Sequence, residues 1–170
     1  EIVSRDWSSD VCSSDLTIPH NDVALNLASA LKSHVRGKGC KVQMADAKLG
    51  ISENGPFHYP DVMVSCDERD KSATKVIHHP CLIVEVLSPS TEGIDRGKKF
   101  QNYRQISTLK EYVLISTQEM MVECFRLNDK NLWELQTYSR GDEIDLVSVD
   151  FKFPIELLYE DVVFENSQES

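Results

Sequence analysis

Cys81-Leu82-Ile83-Val84-Glu85-Val86-Leu87 is an apolar run interrupted once, by a carboxylate. A run of this length and kind, closed by Ser88-Pro89-Ser90-Thr91, predicts a central strand covered on both faces. An ionised carboxylate left alone among Leu, Ile and Val costs several kcal/mol or stays protonated, so Glu85 needs a partner. A divalent cation is one such partner, because hard ions such as Mg²⁺ take carboxylate and carbonyl oxygens where acidic groups converge.

Upstream of this strand, Pro60 to Ser65 reads as a second strand with Asp61 at its start, and Asp67 to Lys75 reads as a polar surface loop. Cys40 to Ile51 suggests one further strand with an irregularity near Ala45. From His20 to Arg36, Val23, Leu27, Leu31 and Val35 recur with the period of an amphipathic helix that Gly37 and Gly39 stop.

Downstream, a short helix runs from about Thr91 or Asp95 to Gln105, and Glu111 to Ser116 forms another buried strand. Met121–Leu127 and Trp133–Tyr138 form an antiparallel hairpin around the turn at residues 128–131, and a further turn falls at Arg140-Gly141-Asp142. Phe151 to Tyr159 reads as a strand end running into a short helix after Pro154. The order is helix, three strands, helix, strand, then a hairpin extension: an α/β (α+β) domain built on a mixed sheet.

The chain has 170 residues, 41% of them hydrophobic and 27% charged, which describes one domain and excludes both a disordered chain and a membrane span. That domain is expected over residues 17–165, with residues 166–170 as a tail. Residues 6–16, Asp-Trp-Ser-Ser-Asp-Val-Cys-Ser-Ser-Asp-Leu, show no period and resemble one reading frame of a sequencing adapter. Residues 1–16 are therefore set aside as a non-native or disordered segment fused to a truncated gene.

The net charge of −10 does not exclude a nucleic-acid partner, because most of the excess acid lies in residues 119–170 and the field a ligand feels is local. The cysteines, Cys12, Cys40, Cys66, Cys81 and Cys124, include no C-x-x-C pair. Cys81 and Cys124 lie in apolar runs and read as small buried thiols, which points to a reducing, cytoplasmic setting.

Asp61 and Glu85 on neighbouring strands supply two carboxylates, the number Mg²⁺ needs when water and a substrate phosphate complete its shell. The following helix brings cations: residues 95–104 carry a net +3, with Arg96, Lys98, Tyr103 and Arg104 as candidate nucleic-acid contacts. Lys99 and Tyr103 share a helical face. If that face meets the carboxylates, Lys99 can orient the attacking water and steady charge on the phosphate. His20 is a weaker candidate. His58, His78 and His79 form no metal-ligand spacing and are expected on the surface, while Trp133 and Tyr138 are expected to pack within the hairpin.

Pro60-Asp61, Glu85-Val86-Leu87-Ser88, Asp95 through Lys99 to Tyr103, and Glu111-Tyr112-Val113-Leu114 resemble the Uma-two family, a bacterial branch of the PD-(D/E)XK nuclease superfamily, over about residues 17–163. The resemblance implies a restriction-endonuclease-like core in which Asp61, Glu85 and the carbonyl of Val86 hold Mg²⁺, with Mn²⁺ as a substitute. It further implies DNA as substrate, a homodimer, and more residues before the first helix, of which Glu1-Ile2-Val3 would be a remnant. Leu87 stands where the superfamily usually has its lysine. Lys99 is the position that matches branches in which the lysine has moved to the next helix, and Lys98 ranks second.

The expected function is metal-dependent hydrolysis of DNA phosphodiester bonds. The alternative, favoured by Leu87 and the acidic C-terminal part, is a catalytically silent nucleic-acid-binding or interaction module. A scaffold that binds a basic protein through its acidic hairpin is the third reading.

Overall fold

The computed structural model describes residues 16–164. The adapter-like segment up to residue 15, Glu1-Ile2-Val3 expected as a remnant of earlier sequence, and the tail from residue 165 lie outside the described residues.

Helix α1 (Ile18–Val35) starts where the Thr17 hydroxyl accepts a hydrogen bond from the His20 amide at 3.3 Å, with Pro19 in a first turn that leaves its missing N–H without consequence. Val23, Leu27, Leu31 and Val35 form its buried stripe. They pack on one face of a six-stranded mixed sheet, in the order β1 (Lys41–Met44), β4 (Val62–Ser65), β6 (Leu82–Val86), β7 (Glu111–Ile115), β8 (Met121–Leu127) and β9 (Trp133–Ser139).

All neighbours are antiparallel except β6 and β7. A parallel pair needs a crossover, and residues 92–103 provide it. This segment comprises α3 (Glu92–Ile94), a π-helical turn (Asp95–Lys99) and α4 (Phe100–Tyr103). Phe100 and Tyr103 cover the opposite sheet face, against Ile83, Leu87, Tyr112 and Leu114. Strand β6 is thus buried on both sides, as its apolar run around Glu85 predicts.

The run from Cys40 to Ile51 departs from the expected single strand. Ala47 N–H donates to the Met44 carbonyl at 2.8 Å and closes a tight turn after β1. The chain then enters β2 (Lys48–Gly50), which pairs with β3 (Phe57–His58) and β5 (Val76–Ile77) in a separate small sheet. The segment expected as a polar loop holds α2 (Glu68–Lys71), whose Asp70 is buried and accepts hydrogen bonds from Ser65 Oγ at 2.6 Å and the amides of His78 and His79. After β9 the chain forms a second hairpin, β10 (Glu143–Leu146) with β11 (Phe151–Pro154), and ends in a 3₁₀ turn (Ile155–Tyr159) that packs on α1.

Two expectations are corrected. His58 is not a surface residue: it is 1% exposed, its Nε2 lies 3.0 Å from Asn102 Nδ2, and its ring meets Tyr103 edge-on. The reducing setting inferred from Cys81 and Cys124 loses its basis, because Cys40 and Cys66 form a disulfide beside the Lys41–Ser65 pair of β1 and β4. Cys124 is a buried thiol and Cys81 a partly buried one. The cysteines therefore give no support to a reducing compartment. Among the described residues, no helix is long and apolar enough to cross a membrane.

Candidate functional site

The site forms where β4 and β6 stop pairing. Their register matches Val62 with Val84 and Met63 with Ile83. One step further, Asp61 stands opposite Glu85, on the face that Met63 and Ile83 share. The Asp61 carboxylate turns into the opening: Oδ2 accepts the Val86 amide at 2.7 Å and lies 3.3 Å from His20 Nε2. A residue in an extended strand points its N–H and C=O to the same edge, so the Val86 carbonyl opens beside Asp61.

Glu85 is 2% exposed. Its Oε1 accepts the Tyr103 hydroxyl at 2.8 Å and lies 3.5 Å from Lys99 Nζ. Lys99 Nζ is closer to a third carboxylate, at 2.9 Å from Asp95 Oδ1. The π-helical turn sets up this contact. It carries Asp95 and Lys99 on one side, with Tyr103 a further four residues along, while the Tyr112 hydroxyl donates to the Asp95 carbonyl at 2.8 Å and anchors the turn to β7. His20, Asp61, Glu85, Val86, Asp95 and Lys99 line one cavity of about 240 Å³.

Burial pushes the Glu85 carboxyl well above the usual carboxylate range; Lys99 pulls it down, and Asp61 and Asp95 push it up. Asp95 is raised for the same first reason, with Lys99 again opposing. For Lys99, burial alone would favour the neutral amine, but Glu85 and Asp95 outweigh it and raise its pKa, so Nζ is an ammonium at neutral pH. The Tyr103 hydroxyl is held in its neutral, donating form by burial and by Glu85. Three carboxyl groups thus meet one ammonium, and burial opposes ionisation of both Glu85 and Asp95.

Among the described residues, no three His, Cys, Asp or Glu side chains are arranged as a metal-ligand group. A cation here would rest on Asp61, Glu85 and the Val86 carbonyl, a donor set that suits Mg²⁺ or Mn²⁺ and not a soft metal. The pinning of the two carboxylates fits that use. Each has one oxygen held by protein groups, Oδ2 of Asp61 and Oε1 of Glu85, while the described residues show no hydrogen bond to Asp61 Oδ1 or Glu85 Oε2.

The structure gathers Asp61, Glu85, Val86, Lys99 and His20 at this cavity and leaves other candidates outside it. Leu87 is buried in the core and offers no amine. Lys98 is exposed, and Arg104 is exposed with its guanidinium 4.8 Å from the Phe100 ring centroid. Arg96 is held by Glu92 and Glu123. Tyr103 is corrected: with 0% exposure it has no surface to offer a nucleic acid, and its hydroxyl serves Glu85. Asp95 is the site residue that the sequence reading missed. It opens the segment from Asp95 through Lys99 to Tyr103, but a spacing of four to Lys99 is shared by countless solvated helix pairs and gave it no role.

The matched family model, Uma2, described as "Putative restriction endonuclease", aligns with residues 11–156, and the chain belongs to this family. Two Synechocystis proteins are similar to it. "Uncharacterized protein slr1290" is 34% identical over 145 residues, covering 85% of this chain and 76% of the relative. "Uncharacterized protein sll1609" is 32% identical over 136 residues, covering 79% and 75%. Among solved structures, a "putative nuclease belonging to DUF820" from Anabaena variabilis superposes with a TM-score of 0.71 at 15% identity, over 87% of this chain and 84% of that one. The fold is therefore shared with that protein, and the restriction-endonuclease-like architecture expected from the sequence holds.

Proposed function

We propose that the chain is a metal-dependent endonuclease that hydrolyses DNA phosphodiester bonds in this cavity. The observation that carries the reading is the convergence of Asp61 and Glu85 on one face, each with one oxygen pinned, in a cavity with more carboxyl groups than cations. Asp61, Glu85 and the Val86 carbonyl would hold Mg²⁺ or Mn²⁺. Such an ion neutralises charge on a phosphate and favours in-line attack by water.

The chain's own groups account for the rest. Tyr103 fixes one Glu85 oxygen and so aims the other into the cavity. Lys99, as an ammonium, donates to a phosphate oxygen or orients the attacking water; it serves as a positive charge and not as a base. His20, 3.3 Å from Asp61, sits at the rim where it can contact the same phosphate. The exposed Lys98 and Arg104 lie on the same helical segment and can engage the flanking backbone. Family membership supports the nuclease class, and Leu87 does not remove the required amine, because Lys99 reaches Glu85 from the next helix.

The test is nicking of supercoiled plasmid by the purified chain with Mg²⁺, with Mn²⁺, and with excess chelator. Nicking with either metal that the chelator abolishes is the expected result. DNA binding without turnover in any metal would replace this reading with that of a silent binding module.

A further inference from the structure

We infer that Asp95 is a positioning residue that holds the Lys99 ammonium away from Glu85 and so keeps the cation position open. The inference rests on the proposed metal site.

Lys99 Nζ lies 2.9 Å from Asp95 Oδ1 and 3.5 Å from Glu85 Oε1. Both carboxylates are buried, Asp95 at 1% and Glu85 at 2% exposed, so the ammonium has two anions of similar environment to choose between. Attraction scales inversely with separation and strengthens as water is excluded, which makes the nearer carboxylate the stronger partner. The ammonium thus sits between the two carboxylates and nearer to Asp95.

The side on which Lys99 rests matters because an ammonium and a divalent cation compete for the same carboxylate. With Lys99 drawn fully onto Glu85, an incoming ion would have to displace it or accept a like charge within a few ångströms. With Lys99 tethered to Asp95, Glu85 keeps an oxygen for the ion while the ammonium stays close enough to meet a phosphate. The π-helical turn builds the tether into the backbone: Asp95 and Lys99 are its first and last residues, and Tyr112 anchors the Asp95 carbonyl.

Asp95 could instead be a third metal ligand or a purely structural partner, and a double-mutant cycle on Mn²⁺ affinity separates the three roles. Mn²⁺ binding is measured by electron paramagnetic resonance on the full chain and on Asp95→Asn, Lys99→Gln, the double variant and Glu85→Gln. On this account Asp95→Asn weakens Mn²⁺ about tenfold, equivalent to about 1.4 kcal/mol. Lys99→Gln tightens it, and the double variant matches Lys99→Gln alone. Equal weakening by Asp95→Asn in both Lys99 backgrounds would make Asp95 a ligand and overturn the tether. No change on Asp95→Asn, with binding that still depends on Glu85, would overturn it and leave the metal site standing. No Mn²⁺ binding by the native chain or by Lys99→Gln would remove the metal site, and the tether with it.

Discussion

Replacing Glu85 by Gln is expected to lower metal-dependent DNA cleavage by about a thousandfold, the scale seen when one preorganised charge is removed from a reaction centre. Gln keeps the size of the side chain and can still accept from the Tyr103 hydroxyl, which donates to Glu85 at 2.8 Å, so the helix packing should survive. Thermal stability should stay level or rise, because burial opposes the charge of Glu85 and Gln removes that opposition. Lys99 retains Asp95 as its partner. Initial nicking rates and thermal melts measured on the same preparations check both halves. A folded Glu85→Gln protein that nicks at the native rate would place the chemistry elsewhere.

The largest expected loss of stability lies on the neighbouring strand. Glu111 is 0% exposed and accepts hydrogen bonds from Arg126 Nε at 2.9 Å and the Ser148 amide at 2.6 Å. Arg126→Ala leaves a buried carboxylate without its counter-charge, a change that costs about 3–5 kcal/mol. Arg126 also donates to the Asp145 carbonyl at 2.6 Å, so the β10–β11 hairpin should loosen together with the sheet. Urea unfolding should show a lowered midpoint with little change in slope. Cleavage by the fraction still folded should match the native rate, since neither Glu111 nor Arg126 lines the cavity.

Glu85 and Glu111 together show how far the sequence can be read. Both are carboxylates fully buried in adjacent strands of the sheet. Only Glu85 lies at an end where strand pairing stops and a second carboxylate turns in, and only the register reveals that. Burial alone marks a carboxylate that needs a partner. It does not say whether the partner is an arginine of the same chain or an ion from outside.

The central strand and the first helix are legible because each carries a long apolar pattern of one period. The sheet of β2, β3 and β5 is not, since strands of two or three residues are too short to show a period. The Cys40–Cys66 pair is invisible at a sequence separation of 26 until the β1–β4 register puts the two residues side by side. In the sequence Tyr103 stands among basic residues and reads as a nucleic-acid contact. The core against Phe100 and Tyr112 decides which way that face of the helix turns, and it turns inward. Asp95 was hidden for the complementary reason: a four-residue acid–base spacing looks solvated until packing buries it.

The most direct measurement is a crystal of the chain grown or soaked with Mn²⁺ and examined by anomalous scattering. The account predicts one strong peak per chain, contacted by both Asp61 and Glu85, and its loss in Asp61→Asn crystals of the same form. A peak that touches neither residue, or Asp61 and Glu85 bare of metal at saturating Mn²⁺, would contradict it.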